Sequence, residues 1–246
     1  MIRFIHLLKS RIIQQLMSHG FELRKYPNWK FPVLPVFNIC VDALLSKLDE
    51  VRFIQVGGND GIHVDPLHQF YKSNLQWNGY IFEPNPQVYR ELKQNLVELK
   101  NRVTPQPEAI SSYIGESKIY IQDVESRKNS SEISSMNKKA FIKQKNIGAN
   151  FSELSVRTRT LDDFLSEIGW QDFELLQIDT EGHEEKILDG FNLELHQPRI
   201  IQIEIGHLNR RQINKITRKI AKNGYSIYWG GHQADMVCVR SDLFLK

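Results

Sequence analysis

Cysteine is scarce in this chain. Cys40 and Cys238 are the two among 246 residues, which gives neither a disulfide framework nor a metal-ligand spacing. A reducing, cytoplasmic setting is the expectation. Long apolar runs are missing too: none reaches the ~18 residues that a membrane-spanning helix needs. The N-terminal apolar stretch is broken by Lys9 and Arg11 and lacks a small-residue cleavage site, which argues against a secretory signal. No basic stripe interleaved with aromatics is present, so nucleic acid is not an expected partner. No Gly-Lys-Ser/Thr follows a glycine turn, which excludes a P-loop.

The remaining composition is ordinary for one globular domain with a small extension: 41% hydrophobic and 25% charged residues. The net charge of +3 is unevenly placed. Six basic residues within positions 1–30 face one acid, Glu22, leaving the rest of the chain slightly negative. Residues 2–18 repeat Ile5, Leu8, Ile12 and Leu16 at the spacing of one helical face. That face is expected to pack on the body or on the second subunit of a homodimer. Peripheral contact with an anionic membrane surface is the alternative, though the helix is short and its basic residues sparse. Pro27, Pro32 and Pro35 then favour an extended link, and positions 1–50 read as a helical extension.

The most informative stretch is Phe53-Ile54-Gln55-Val56-Gly57-Gly58-Asn59-Asp60-Gly61. An apolar strand stops in glycines and small polar residues. A second run, Tyr80-Ile81-Phe82, stops in Glu83-Pro84. A glycine turn on one strand and a carboxylate on the next describe a nucleoside site at the C-terminal edge of a parallel sheet, with Glu83 facing the ribose hydroxyls. A dinucleotide fingerprint needs glycine at 57, 59 and 62, where Asn59 and Ile62 stand. In alternating register, Gln55, Gly57, Asn59 and Gly61 approach the acid-x-Gly-x-Gly-x-Gly turn of S-adenosylmethionine (SAM) enzymes. Asn59 and Asp60 are candidates for the methionine end of that ligand, and Asp60 is equally a turn former.

From Val51 the chain alternates strand and helix, which argues a doubly wound α/β sheet over 51–246. Expected strands cover 52–57, 79–83, 102–110, 117–122, 154–159, 173–178 and 199–205. Tyr225–Trp229 and Met236–Arg240 read as a terminal antiparallel hairpin. Asp65-Pro66, Asn85-Pro86 and Thr160-Leu-Asp-Asp163 read as helix starts. Residues 123–150, rich in Ser, Asn and Lys, interrupt the pattern as a polar insertion and a candidate lid.

Six blocks then occur in order: Phe53–Gly61, Ile81-Phe-Glu-Pro-Asn85, Ala109-Ile-Ser111, Arg159-Thr-Leu-Asp-Asp163, Leu176-Gln-Ile-Asp-Thr-Glu-Gly182 and Ile203-Glu-Ile205. Together they resemble the FkbM-type family of SAM-dependent methyltransferases, and they cover most of the chain. Gln177 departs from the lysine common in that family. The resemblance implies a Rossmann-like methyltransferase fold and O-methylation of a sugar, polyketide or related hydroxyl. It places Glu108, Ala109 and Ile110 beside the adenine and Pro84 beside Glu83. It also places Asp179 beside the sulfonium.

An alcohol nucleophile needs a general base or a metal that lowers its pKa. Asp179, Glu181, His183 and His207 are the catalytic candidates. Asp179, Glu181 and Glu204 would make an oxygen-rich, magnesium-type site. His63, His68 and His232 read as surface or packing residues. A nicotinamide-dependent sugar-modifying enzyme and a non-catalytic module on the same fold are the rival functions.

Overall fold

The computed structural model describes residues 35–63, 65–122, 134–138, 141–142, 151–229 and 235–244, which lie in one compact unit, Leu34–Lys246. The helix expected at 2–18, the link after it as far as residue 34, most of the insertion and His232 lie outside the described residues, and Pro35 stands at the N-cap of the first described helix.

A seven-stranded sheet organises the molecule. Its strands are β1 (Val51–Val56), β2 (Trp77–Phe82), β3 (Val103–Gln106), β8 (Leu175–Ile178), β9 (Ile200–Ile203), β10 (Tyr225–Trp229) and β11 (Met236–Arg240). In space they run β10-β11-β9-β8-β1-β2-β3. β3, β2, β1, β8 and β9 are mutually parallel, and β11 pairs antiparallel with both β9 and β10. Chain order reverses between β1 and β8. That crevice is where ligands of open parallel sheets bind.

Helices cover both faces. α1 (Val36–Leu45), α2 (His68–Ser73) and α3 (Pro86–Asn95) lie on one side. Phe37, Val41 and Leu45 join Phe53, Tyr71, Trp77 and Leu92 in the core there. α4 (Leu161–Ile168), α5 (Glu184–Asp189) and α6 (Arg210–Lys222) cover the other side. Ile54, Val56, Leu176, Ile178 and Ile203 meet Phe164, Ile187 and Ile216 in that core. Alternate residues of β1 thus feed opposite cores, as the pleat requires. Two of the three expected helix starts use the expected chemistry; the third does not, because α2 begins at His68 with Leu67 at its N-cap and no side-chain cap, and Asp65-Pro66 lies before it. The Asn85 side chain accepts from the Gln87 N–H with Pro86 in the first turn, and Thr160 Oγ1 accepts from the Asp163 N–H at 3.1 Å.

One strand expectation is corrected. The run 102–110 is two strands in two sheets. β3 stops at Gln106, and β4 (Ala109–Ile110) pairs parallel with β7 (Phe151–Arg159). Pro105 and Pro107 have no N–H to give a ladder, so β3 survives only as an edge strand and the chain is released after it. β7 also pairs antiparallel along the whole of β5 (Gly115–Gln122), and β6 (Ser134–Ser135) adds to the outer side of β5. This second, four-stranded sheet was not foreseen. The insertion is the connection between β5 and β7, and its described residues 134–136 reach the site.

Candidate active site

The loop after β1 takes its shape from three alternate positions. Gly57, Asn59 and Gly61 have φ of +85°, +49° and +74°, all in the left-handed region. Glycine adopts that region freely, and asparagine is among the few other residues that tolerate it. The alternating pattern of the sequence is therefore a backbone requirement, and Asn59 meets it. Gly57 answers a second demand: a Cβ there would stand 1.7 Å from the Asp179 carbonyl oxygen. Its bare Cα makes room for the neighbouring strand end. Val56 O accepts from the Asp179 N–H at 2.9 Å and locks the two strand ends together.

The strand ends enclose a cavity of about 260 Å³. Gln55, Gly57, Asn59, Glu83, Pro84, Glu108, Ala109 and Ile110 line it, together with Asp179, Glu181 and His183. Asp60 and Gly61 do not line it. Asp60 accepts from the N–H groups of Ile62 and His63 and pairs with the His63 ring. Although burial acts to raise its pKa, those bonds to His63 and Ile62 hold it below the usual range. Its turn-forming role is the one the geometry displays. The Asn95 side chain ties the same turn to α3 by donating to Asp60 O. His63 does reach the cavity rim, and His68 bonds to Gly61 O.

Glu83 is 5% exposed, at the end of β2. Its Oε2 accepts from the Asn59 N–H at 3.2 Å and its Oε1 from the Asn85 N–H at 2.9 Å. Burial pushes its pKa up to about 7 against these two hydrogen bonds. Glu108 Oε2 and Asn59 Oδ1 are buried without a hydrogen-bond partner. In a cavity wall, such atoms lack the donors that buried acceptors require.

At the end of β8, burial raises the Asp179 pKa well above its usual value, and the charges of Glu204, Glu181, Glu184 and Asp235 raise it further. Glu181, with φ +57°, receives a 2.9 Å contact from His207 Nε2. His207 lies one step behind the lining, 3.7 Å from Glu204. Its bond to Glu181 raises its pKa against the effect of burial. Glu204 Oε1 accepts from the Gly206 N–H, and burial followed by the Glu184 charge lifts its pKa to about 7. Asp179, Glu181 and Glu204 do not make the expected ligand set, because among the described residues no three His, Cys, Asp or Glu side chains are placed to hold a metal ion. The pairing of Glu181 with His207 and the turn held by Glu204 occupy two of the three carboxylates. His183 is neutral near pH 7: burial, then Lys186, lowers its pKa to about 4.

Several lining or supporting residues escaped the sequence. Asp65, read as a helix cap, lines the cavity. It accepts from the Leu67 N–H, Gln55 Nε2 at 3.0 Å and the Tyr71 hydroxyl at 2.7 Å. Ser111 is fully buried with its hydroxyl 3.0 Å from His183 Nε2. Ser134, Ser135 and Met136 form part of the wall. The block Ala109-Ile-Ser111 was the available signal for Ser111. Nothing local marked residues 134–136.

The chain matches the family described as the Methyltransferase FkbM domain over residues 55–227. Among solved structures it resembles the methyltransferase FkbM of Methylobacillus flagellatus KT, at 13% identity and a TM-score of 0.54. That alignment covers 80% of this chain, which spans 45% of the length of the Methylobacillus protein. A looser likeness links it to an O-methyltransferase from Bacillus cereus in complex with SAH, at 12% identity, TM-score 0.44, covering 94% of this chain and 89% of that one. At such identities the first of these shows a shared fold alone. No curated protein matches the sequence. Among the described residues no helix is long and apolar enough to cross a membrane.

Proposed function

The chain belongs to the FkbM domain family of methyltransferases, and from that premise we propose that it transfers the methyl group of SAM to a hydroxyl of a sugar, glycan or related natural product. The observation that carries the cofactor half is Glu83. Its carboxylate lines the cavity at the end of β2, and two backbone N–H groups fix it there. A carboxylate has about four lone-pair sites, which leaves capacity for two ribose hydroxyls. The unpartnered Glu108 Oε2 suits an exocyclic amine, and the apolar Ala109 and Ile110 suit a flat base.

SAM supplies an activated methyl on a positively charged sulfur, so the chain need only bind, orient and move one proton. Asp179 is the residue proposed to take the acceptor proton. Its raised affinity for protons makes it a stronger base than an exposed carboxylate. Glu181, steadied by His207, and neutral His183, steadied by Ser111, are proposed to orient the acceptor hydroxyl. The cluster of carboxylates around Asp179 also favours a cationic sulfur nearby.

Calorimetry with S-adenosylhomocysteine (SAH) tests this reading. Ribose hydroxyls donating to Glu83 favour its ionised form, so binding lowers its pKa from about 7 and expels protons near neutral pH. The measured binding enthalpy at pH 7 is therefore expected to be more exothermic in Tris than in phosphate, because Tris releases more heat on taking up a proton. Glu83→Ala is expected to remove that difference and weaken binding by ~10- to 150-fold, the loss of about 1.5–3 kcal/mol for a charged hydrogen-bonded pair. A folded variant with an unchanged dissociation constant would take Glu83 out of the site.

A further inference from the structure

The loop after β8 is held in a shape that it would not keep alone. Glu181 is a side-chain-bearing residue in the left-handed region, followed by Gly182 at φ +103°, a backbone that persists only where its surroundings impose it. The N–H side of the loop is bound locally. Glu184 Oε1 accepts from the Thr180 N–H, the Thr180 hydroxyl and the Gly182 N–H at 2.9, 3.0 and 3.1 Å. The carbonyl side is bound from a distant part of the chain. Ser135 Oγ donates to Glu181 O at 2.8 Å, and Asn137 Nδ2 donates to Gly182 O at 2.9 Å.

These two donors are themselves fixed. Ser135 Oγ accepts from the Asn137 N–H at 2.9 Å, which makes the segment one tight turn. Ser134 and Ser135 pair with Ile121 and Tyr120 of β5. The fully buried Phe141 lies against Tyr120 and Phe151. Met136, between the two donors, packs with Ala109, Ile119 and Val156 and lines the cavity. A flap free to swing over the site would leave the carbonyls of Glu181 and Gly182 to find other partners.

We propose that Ser135 and Asn137 are positioning residues, a clasp that ties the connection between β5 and β7 to the Asp179–Gly182 loop and so sets where Asp179 and Glu181 stand. In its bearing on catalysis this rests on the methyltransferase reading above. The clasp makes the loop and the wall one coupled unit. A ligand that orders Asp179 and Thr180 must then also order residues 134–138, and the coupling is reciprocal.

Hydrogen exchange read by mass spectrometry, with SAH as the probe, tests the clasp on the full chain. In Ser135→Ala/Asn137→Ala, amides of 179–184 are expected to exchange roughly tenfold faster, the effect of two lost hydrogen bonds, while those of α6 are unchanged. SAH is expected to protect 134–138 in the parent and not in the variant. Ser135→Thr, which keeps the hydroxyl, restores the parent rate. The isosteric Asn137→Asp, which loses the donor, does not, and it serves should the double variant fold poorly. Equal loop exchange in parent and variants overturns the clasp, as does SAH that binds without protecting 134–138. Absence of any SAH binding heat in the parent overturns the cofactor reading instead, and the loop exchange rates still decide the clasp.

Discussion

Asp179→Asn is expected to lower methyl transfer by about 100- to 10,000-fold, the range for removal of a general base, with the affinity for SAH nearly unchanged. The amide keeps the shape of the carboxylate but cannot take a proton. Labelled methyl transfer from SAM to a panel of hydroxylated acceptors, at saturating SAM, measures the first quantity and calorimetry the second. Equal rates for parent and variant would remove Asp179 from the chemistry.

The same substitution carries a pH signature. Burial and then the charges of Glu204, Glu181, Glu184 and Asp235 hold the Asp179 pKa above its unfolded value. Transfer by the parent should therefore rise with pH until Asp179 is ionised, and the variant should lack that limb. Stability runs the other way. Between the unfolded and the raised pKa the native state binds more protons than the unfolded chain, so stability falls as pH rises through that window. Glu204 and Glu83, each raised to about 7, add to this fall. Asp179→Asn removes one share, so the variant should melt higher than the parent at pH 7 and above. A lower melting temperature would show that the carboxylate has a partner that stabilises its charge.

Gly57→Ala is the most disruptive single change expected for the fold. Its Cβ would lie 1.7 Å from Asp179 O and 2.8 Å from Asp179 C, on a backbone with φ +85°. Both obstacles are main-chain atoms of the adjoining strand end, so no side-chain rotation relieves the clash. A cost above ~4 kcal/mol belongs to this kind of lesion. For a domain of this size that corresponds to a fall of roughly 8–16 °C in melting temperature, or to failure to fold. Thermal melting followed by circular dichroism reads it. A variant within about 2 °C of the parent would mean that the ends of β1 and β8 separate easily, and the junction would then not be the rigid floor of the site.

Local sequence determined much of this molecule. The apolar runs of β1 and β2, the paired caps Asn85-Pro86 and Thr160…Asp163, and the hairpin of β10 and β11 depend on side-chain alternation and on chemistry within a few residues. So do the left-handed positions 57, 59 and 61, which explains why glycine and asparagine recur there at a spacing of two. The strand ends carrying Glu83 and Asp179 could be located for the same reason, because an apolar run that stops in a carboxylate is visible in the sequence.

The tertiary structure decided what depends on pairing between distant segments. Whether 109–110 continues β3 or joins β7 is settled by a partner some fifty residues later, and no local pattern encodes that choice. The role of Asp65 depends on Gln55 and Tyr71 converging on it, and that of Ser111 on His183. His207 and Glu204 stand at a strand end as expected, yet the fold sets them behind Glu181 and not in the cavity wall. The polar stretch around Ser135 has no periodicity to read. It acquires a role because folding brings its two side-chain donors to the carbonyls of Glu181 and Gly182, in a loop whose backbone has positive φ at both residues.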